Sequence, residues 1–307
     1  FGNKWLKYLG ELYGQRIFLI LMSLGIFGIG FSGYTQIGFL ILIISSVFLG
    51  FGFGGTTISS NILIANAGFE NNNRRLFSGM HAMYGLSSII APVLYSMAIF
   101  SGYTWSNLFI LLSLFPVIAL MMTFRSTRIP HLQGSSSKPK NTNYYKIIQI
   151  ASMLSLYVAG EICISSRLVL YITKVKNTNS ADASVYLTLF FIMLFAGRFL
   201  FSIIHPKWSN YRLMMISNLS SLILIILGIF VYPVFLSLSA FTMSYFFPYG
   251  MDWISVKFRE NTGYMITVVM TFVSIFLFLM HTIVGILSNN FGIKTGMFSS
   301  VVFLLLS

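Results

Sequence analysis

Apolar runs of about 20 residues recur along almost the whole sequence and limit what it can fold into. A helix of about 20 apolar residues crosses the roughly 30 Å hydrocarbon core of a bilayer, and runs of this length exceed those of ordinary strands. The pattern predicts an all-α, polytopic membrane protein. Its predicted helices cover residues 17–34, 38–66, 77–100, 105–124, 147–172, 184–204, 212–231, 234–255, 264–287 and 295 onward.

Composition supports this class. Charged residues make up 8% of the chain and hydrophobic residues 56%, whereas about 25% of an average soluble domain is charged. The single cysteine, Cys163, lies in an apolar run, which excludes an internal disulfide and a cysteine metal site. No nucleotide-binding loop, zinc-ligand spacing or Ser-His-Asp pattern is present. We therefore expect no enzymatic activity, no cofactor and no metal.

The positive charges indicate orientation. The formal net charge is +13, but no basic stripe is interleaved with stacking aromatics, so nucleic acid is not an expected partner. Fifteen Lys and Arg residues lie in or beside one alternating set of loops, and the other set holds only Lys174, Lys176 and Lys294. Cytoplasmic loops carry such an excess, so the first set is predicted to be cytoplasmic.

The polar, basic stretch 126–145 reads as a cytoplasmic linker. It divides the chain into a helical block at 1–125 and a second at 146–307. A cytoplasmic start predicts two further spans before residue 1, a truncated last span and an intact arrangement of six plus six. The lipid bilayer of a plasma or bacterial inner membrane is the expected environment, and a monomer is the expected state.

Six spans, a basic linker and six spans resemble the major facilitator superfamily of secondary transporters, whose halves form a pseudo-repeat. The segment "GELYGQR" at 10–16 is similar to part of the superfamily signature, with Glu11, Gly14 and Arg16 in the matching positions. Lys7 stands where the signature begins with glycine. The resemblance implies a gate or latch, in which glycine permits a tight turn and the charged pair joins helix ends.

A segment of the first block resembles the fucose-permease-like sugar symporters within that superfamily. It reads "SSNILIANAGFENNNRRLFSGMHAMYGLSSIIAPVL" and contains Asn61, His81, Gly85 and Pro92 at the spacing of their fourth and fifth helices. The resemblance implies that Asn61 and His81 bind the solute. The alternative for both is an interhelical hydrogen bond. Thr57 stands where fucose permease has an acid.

The second block carries further matches. "LYVAGEICISSRLVLYI" at 156–172 is similar to the seventh helix of these symporters, with Glu161 after glycine and Arg167 where they usually have Trp. "AGRFLF" at 196–201 resembles the end of their eighth helix, which implies a gate role for Arg198, and Pro248 matches a proline of their tenth.

Glu161 is an acid near the middle of a predicted span. Ionisable residues at membrane depth are costly and usually face the bundle interior, and loss of water favours the neutral carboxyl. No Lys and no clearly aligned Arg is expected beside it, because Arg167 is six residues away, about 240° around the helix. These features predict a proton-coupling residue, with a permanently paired structural acid as the alternative.

Arg167 and Asp252 each have two readings. Arg167 either binds an anionic or hydroxyl-rich solute or extends toward the interface beside Lys174 and Lys176. Asp252 lies close to Lys257 and Arg259 and is expected to form a loop-edge ion pair, with coupling as the second reading.

The predicted function is uptake of a small polar solute, a sugar by preference, through alternating access coupled to protons, or else to sodium. An exporter or uniporter with a structural Glu161 is the alternative, followed by a non-transporting membrane protein.

Overall fold

A computed structural model describes residues 10–67, 73–125, 144–204 and 206–307, and the elements it describes are helices. In chain order they are α1 (Glu11–Ser32), α2 (Gly38–Ala67), α3 (Asn73–Phe100), α4 (Trp105–Leu112), α5 (Leu114–Phe124), α6 (Tyr144–Lys176), α7 (Ser180–Ile203), α8 (Asn210–Phe230), α9 (Val234–Met243), α10 (Phe246–Lys257), a 3-10 turn (Arg259–Asn261), α11 (Thr262–Phe291) and α12 (Ile293–Leu305).

The helical, membrane-spanning fold predicted from the sequence is confirmed. Each predicted apolar segment corresponds to one helix or to one broken pair, with α4 and α5 forming one pair and α9 and α10 the other. Within the described residues, eight helical stretches are long and apolar enough to cross a membrane. The predicted linker at 126–145 lies outside the described residues except for its last two positions, which begin α6.

The chain divides into two compact units. The first contains residues up to Ala67, Ile90–Lys138 and Glu260–Thr267, and the second contains Gly68–Ile89, Pro139–Arg259 and Val268–Ser307. The boundaries predicted from the sequence, at 125 and 146, stay a prediction about domains.

Close backbone approach joins α1 and α2 in the first unit. A Cβ on Gly52 would lie 2.6 Å from the Cα of Met22, and one on Gly25 would lie 2.7 Å from the Cα of Leu49. Small residues allow such contact between membrane helices. Gly52 therefore allows α1 to approach closely, within a continuous helix of 30 residues.

The predicted latch residues Glu11, Gly14 and Arg16 all lie on α1. Gly14 is buried inside the helix, so its predicted role in a tight turn is wrong; the preceding Gly10, with φ +77°, has the backbone conformation that favours glycine. Arg16 donates from Nη2 to the carbonyl of Thr123 at 2.9 Å, and its guanidinium lies 4.3 Å from the ring centroid of Phe124. Arg16 thus fixes the start of α1 to the end of α5.

In the second unit, the first half of α3 lies along α7 in the opposite direction. Arg75 donates from Nε to the Ser202 carbonyl at 2.8 Å. Ten residues later, a Cβ on Gly85 would come within 3.0 Å of the Cα of Phe195. Rising numbers on α3 pair with falling numbers on α7, which brings the middle of α3 to Arg198.

A break between α9 and α10 leaves the carbonyl of Ser244 without a helical hydrogen-bond partner, near Arg198. In a helix, the N–H of one residue bonds to the carbonyl four residues earlier. Residue 248 is a proline without an N–H, so the carbonyl of Ser244 lacks this partner. Met243 ends α9 and Phe246 begins α10, so Ser244 lies in the break.

Candidate functional site: a buried ion pair and its surroundings

Glu161 and Arg198 form an ion pair inside the second unit. The Nη2 of Arg198 lies 2.9 Å from Oε1 of Glu161 and 3.2 Å from Oε2, and each residue is only 4% exposed. Glu161 sits at the middle of the 33-residue α6, and Arg198 lies in the last two turns of α7. A charge pair buried at this depth is stable only if hydrogen bonds satisfy its remaining atoms.

Arg198 meets that requirement through three separate acceptors. Besides Glu161, its Nη1 donates to the His81 carbonyl on α3 at 3.1 Å, and its Nε donates to the Ser244 carbonyl at 3.2 Å. The second of these is the carbonyl that Pro248 leaves without a helical partner. One guanidinium therefore connects α6, α3 and the break between α9 and α10.

The expectation that no Arg would be aligned with Glu161 is wrong. Arg167 does lie away from Glu161, as the helical rotation predicted, but Arg198 comes to it from another helix, 37 positions along the sequence. The guanidinium of Arg198 lies beside the carboxylate, so Glu161 is not an isolated acid. Its coupling role stays a prediction, and so does the gate role of Arg198.

Tyr84 is an aromatic neighbour of this pair that the sequence did not single out. The Cζ of Arg198 lies 5.7 Å from the centroid of its ring, within the range of a cation–π contact. Tyr84 is 42% exposed, and its ring packs edge-on against Phe191 of α7. The ion pair is therefore next to an accessible aromatic surface.

The three residues predicted to bind solute each keep a buried polar atom without a hydrogen-bond partner among the described residues. These atoms are Oδ1 of Asn61, Nε2 of His81 and Nε of Arg167. Asn61 belongs to the first unit, where its Nδ2 donates to the Thr57 carbonyl at 2.8 Å. His81 and Arg167 belong to the second unit, where the His81 ring packs edge-on against Phe247 at 5.2 Å between centroids. Buried polar groups normally have partners, so these atoms have bonding capacity that protein contacts do not use.

A second acid in this unit, Asp252, forms an ion pair as predicted. Its Oδ2 accepts from Nε of Arg74 at 3.3 Å and from Nδ2 of Asn210 at 2.6 Å. Arg74, a cation distant in the sequence, is the partner that the structure shows. The Arg74 guanidinium also lies 5.2 Å from the centroid of the Tyr249 ring. In the sequence, the indication of a role for Arg74 was that Arg74 and Arg75 directly precede an apolar run.

A cavity of the second unit lies away from these residues. Its volume is about 620 Å³, and its walls include Gln149, Met153, Tyr211 and Trp253 from α6, α8 and α10. None of the predicted site residues lines it. The described residues that line this cavity include no Asp, Glu, Lys, Arg or His, so the polar cluster around Glu161 is the candidate site.

Comparison with known proteins gives a family match over most of the chain. The sequence profile of the Major Facilitator Superfamily matches residues 5–251. Among curated proteins, none matches the sequence significantly.

Solved structures resemble the fold at low sequence identity. A superfamily transporter named FucP, in its outward conformation, aligns with a TM-score of 0.81 and 15% identity over 99% of this chain and 83% of its own. The proton:xylose symporter XylE aligns with a TM-score of 0.79 and 14% identity over 99% and 80%. The human organic anion transporter TETRAN aligns with a TM-score of 0.70 and 12% identity over 99% and 87%. Because proteins with different solutes share this fold, the likeness identifies the architecture and not the solute.

Proposed function

The chain belongs to the major facilitator superfamily, and from this premise we propose that it takes up a small polar solute, a sugar by preference, and that a proton gradient drives this uptake. As a superfamily transporter with many apolar helices, it is an integral, multi-pass membrane protein. Transporters of this architecture expose a central site to each side of the membrane in turn. The proposal concerns the solute, the coupling ion and the residues that bind them.

The observation that carries the proton coupling is the carboxylate of Glu161 in the middle of α6. It is 4% exposed and bound to Arg198. Protonation removes the negative charge of a carboxylate. Proton binding to Glu161 therefore weakens its ion pair with Arg198, which joins α6 to α7. Glu161 is therefore able to link its charge to helix position. Sodium is the alternative coupling ion, and the response to each gradient distinguishes the two.

Solute recognition is assigned to Asn61, His81 and Arg167. Each has a buried polar atom that no described residue engages, and hydroxyl-rich solutes both donate and accept hydrogen bonds. A sugar is preferred because of the motifs shared with fucose-permease-like symporters and because FucP and XylE resemble the chain in fold. Glu11, Gly14, Arg16 and Arg198 are proposed to hold helix ends as gate or latch residues.

A second candidate is a uniporter or exporter in which Glu161 is structural. The Arg198 contact favours it, because a buried acid with a permanent partner need not change its charge. The two candidates differ in whether an imposed proton gradient drives accumulation.

The test is uptake into proteoliposomes of radiolabelled L-fucose and D-xylose, each under an imposed proton gradient, a sodium gradient or no gradient. Accumulation that requires the proton gradient supports the proposal. Uptake that only equilibrates would favour the uniporter, and accumulation driven by sodium alone would replace the coupling ion. Transport of neither sugar, when a panel of organic anions is transported, would refute the sugar assignment.

A further inference from the structure

We propose that Arg198 is a positioning residue that makes the packing of α3 against α7 depend on the charge of Glu161. The inference rests on the proposed coupling role of Glu161 and goes beyond it, because it names the contact through which the charge acts. Its basis is the set of three acceptors that one guanidinium holds in the second unit.

Geometry connects the carboxylate directly to α3. The Nη2 of Arg198 binds Glu161 while the adjacent Nη1 of the same rigid plane binds the His81 carbonyl. A guanidinium presents its donors in a fixed fork, so a shift that follows the loss of one acceptor changes the geometry of the others. The contact with α3 uses the backbone of residue 81 and not its imidazole.

Within the described part of the chain, the contact between α3 and α7 has few other hydrogen bonds near its centre. Arg75 binds the Ser202 carbonyl at one end, and Gly85 lies against Phe195 at the other. Between them, Phe77, Ser78 and Ala82 of α3 are completely buried. Arg198 is thus placed midway along this contact, where its bond to His81 adds a polar link to apolar packing.

Three other titratable groups lie near the pair among the described residues. Tyr84 and His81 on α3 and Tyr157 on α6 interact electrostatically with Glu161 or Arg198. Phenols are ordinarily neutral near pH 7. A change in charge at Glu161 can be imitated at constant pH by Glu161→Gln, which leaves all three neighbours unchanged.

In the proposed sequence, the charged Glu161 holds Arg198 in the orientation that also binds α3. When Glu161 takes up a proton, the carboxyl becomes neutral and binds the guanidinium less strongly, because the Coulombic attraction between the two opposite charges is lost. Arg198 then binds α3 less firmly, and α3 separates from α7 more often.

Ser78 offers a reporter of that separation. It is completely buried on α3, and its hydroxyl has no hydrogen-bond partner among the described residues. Replacement by cysteine therefore removes no described hydrogen bond. The native thiol of Cys163 is also fully buried, and Cys163→Ala leaves Ser78→Cys as the sole thiol. Ser78 lies seven residues before Gly85, two turns along the same side of α3, and Gly85 lies against Phe195 of α7. The rate at which the introduced thiol reacts with N-ethylmaleimide therefore reports how often this side of α3 opens.

The experiment compares this rate among variants of the purified protein in liposomes at one pH. Glu161→Gln keeps an acceptor but removes the ion pair, and Arg198→Lys removes some of the hydrogen bonds. Each should raise the rate by roughly tenfold, the size expected when a hydrogen bond between charged groups is weakened or lost. Arg198→Lys keeps the positive charge but cannot hold three acceptors in one plane. The double variant should react no faster than Arg198→Lys alone, because the effect of Glu161 passes through Arg198.

Arg75→Lys is the matched control on the same contact, because among the described residues Arg75 binds one backbone carbonyl of α7 and no acid. When Arg75→Lys is combined with Glu161→Gln, the increase in labelling rate should equal the product of the increases caused by the two single variants. If Arg198→Lys does not fold, Pro248→Ala replaces it, since a restored N–H at 248 competes with Arg198 for the Ser244 carbonyl. This variant should raise the rate moderately and reduce the effect of Glu161→Gln.

The inference is overturned if Glu161→Gln leaves the labelling rate unchanged, or if its effect multiplies in full with that of Arg198→Lys. Sugar uptake by the same Glu161→Gln protein tests the proposed function separately. Loss of proton-driven accumulation with unchanged labelling would refute the positioning role of Arg198 and support the coupling role of Glu161. Faster labelling with intact accumulation would refute the coupling role of Glu161 but would support the dependence of α3–α7 packing on its charge.

Discussion

At the scale of single residues, Glu161 demonstrates what sequence position does and does not reveal. The depth of Glu161 in the membrane was predictable from its position in an apolar run, because the number of residues in a helix gives the distance across the bilayer. Its partner was not, because Arg198 lies on another helix and meets Glu161 only after the helices pack. The capacity of Arg198 to bind three acceptors depends on the same packing, together with the break before Pro248.

We expect Glu161→Gln to exchange sugar between equal concentrations but not to accumulate it against a gradient. Glutamine preserves the volume and an oxygen that can accept from Arg198, but it cannot release a proton. Both activities should be measured in the same vesicles with L-fucose or D-xylose. Asp182→Asn, on the exposed first turn of α7, is the control and should retain both. Normal accumulation by Glu161→Gln would exclude Glu161 from coupling.

Arg167→Ala should weaken sugar binding by about 10- to 100-fold, the equivalent of about 1.5–3 kcal/mol for a hydrogen bond to a charged group. The reason is its buried Nε, which has no partner among the described residues. Half-saturation of equilibrium exchange measures the effect. Lys174→Ala, near the end of the same helix, should leave affinity unchanged. An unaltered affinity in Arg167→Ala would favour the reading in which its side chain extends to the interface.

At the scale of elements, the helices were predictable but their breaks were not. Hydrophobic length locates a span, yet an apolar run looks the same whether it contains one helix or two. The turn at Ser113 between α4 and α5 leaves no polar gap in the sequence. Pro248 was recognised as a family position, but its consequence for the carbonyl of Ser244 required the backbone.

Two glycines of α3 should respond differently to alanine. A Cβ at Gly85 would lie 3.0 Å from the Cα of Phe195, whereas one at Gly79 would lie 3.8 Å from the Cβ of Ser202. Overpacking against backbone costs about 1–3 kcal/mol, so Gly85→Ala should lower thermal stability in detergent. Gly79→Ala makes an ordinary contact and should change stability by less than about 0.5 kcal/mol. Equal melting temperatures for the two variants would contradict the close approach of α3 to α7.

At the scale of the whole molecule, composition and charge distribution identified the class before any contact was known. So few charges and so many apolar runs are compatible with a membrane protein and little else, which explains why the fold was correctly predicted. The assignment of residues to compact units was less accessible. Residues of α3 fall into both units, and a linear division of the sequence cannot express this.

The loop bias predicts that the linker at 126–145 faces the cytoplasm. A reporter enzyme or a thiol tag inserted there should react only after the membrane is permeabilised. The same tag in the loop beside Lys174 and Lys176 should be accessible from outside intact cells. The opposite pattern at the two sites would reverse the assigned orientation.

Two of the three acceptors of Arg198 are backbone carbonyls, at His81 and Ser244. A carbonyl is supplied by every amino acid, so substitutions at positions 81 and 244 can accumulate in descendants without removing either bond. Positions 161, 198 and 248 lack that freedom, because they supply a carboxylate, a guanidinium and a missing N–H. Among homologues that retain this arrangement, these three positions should be inherited together, while the side chains at the two carbonyl positions drift.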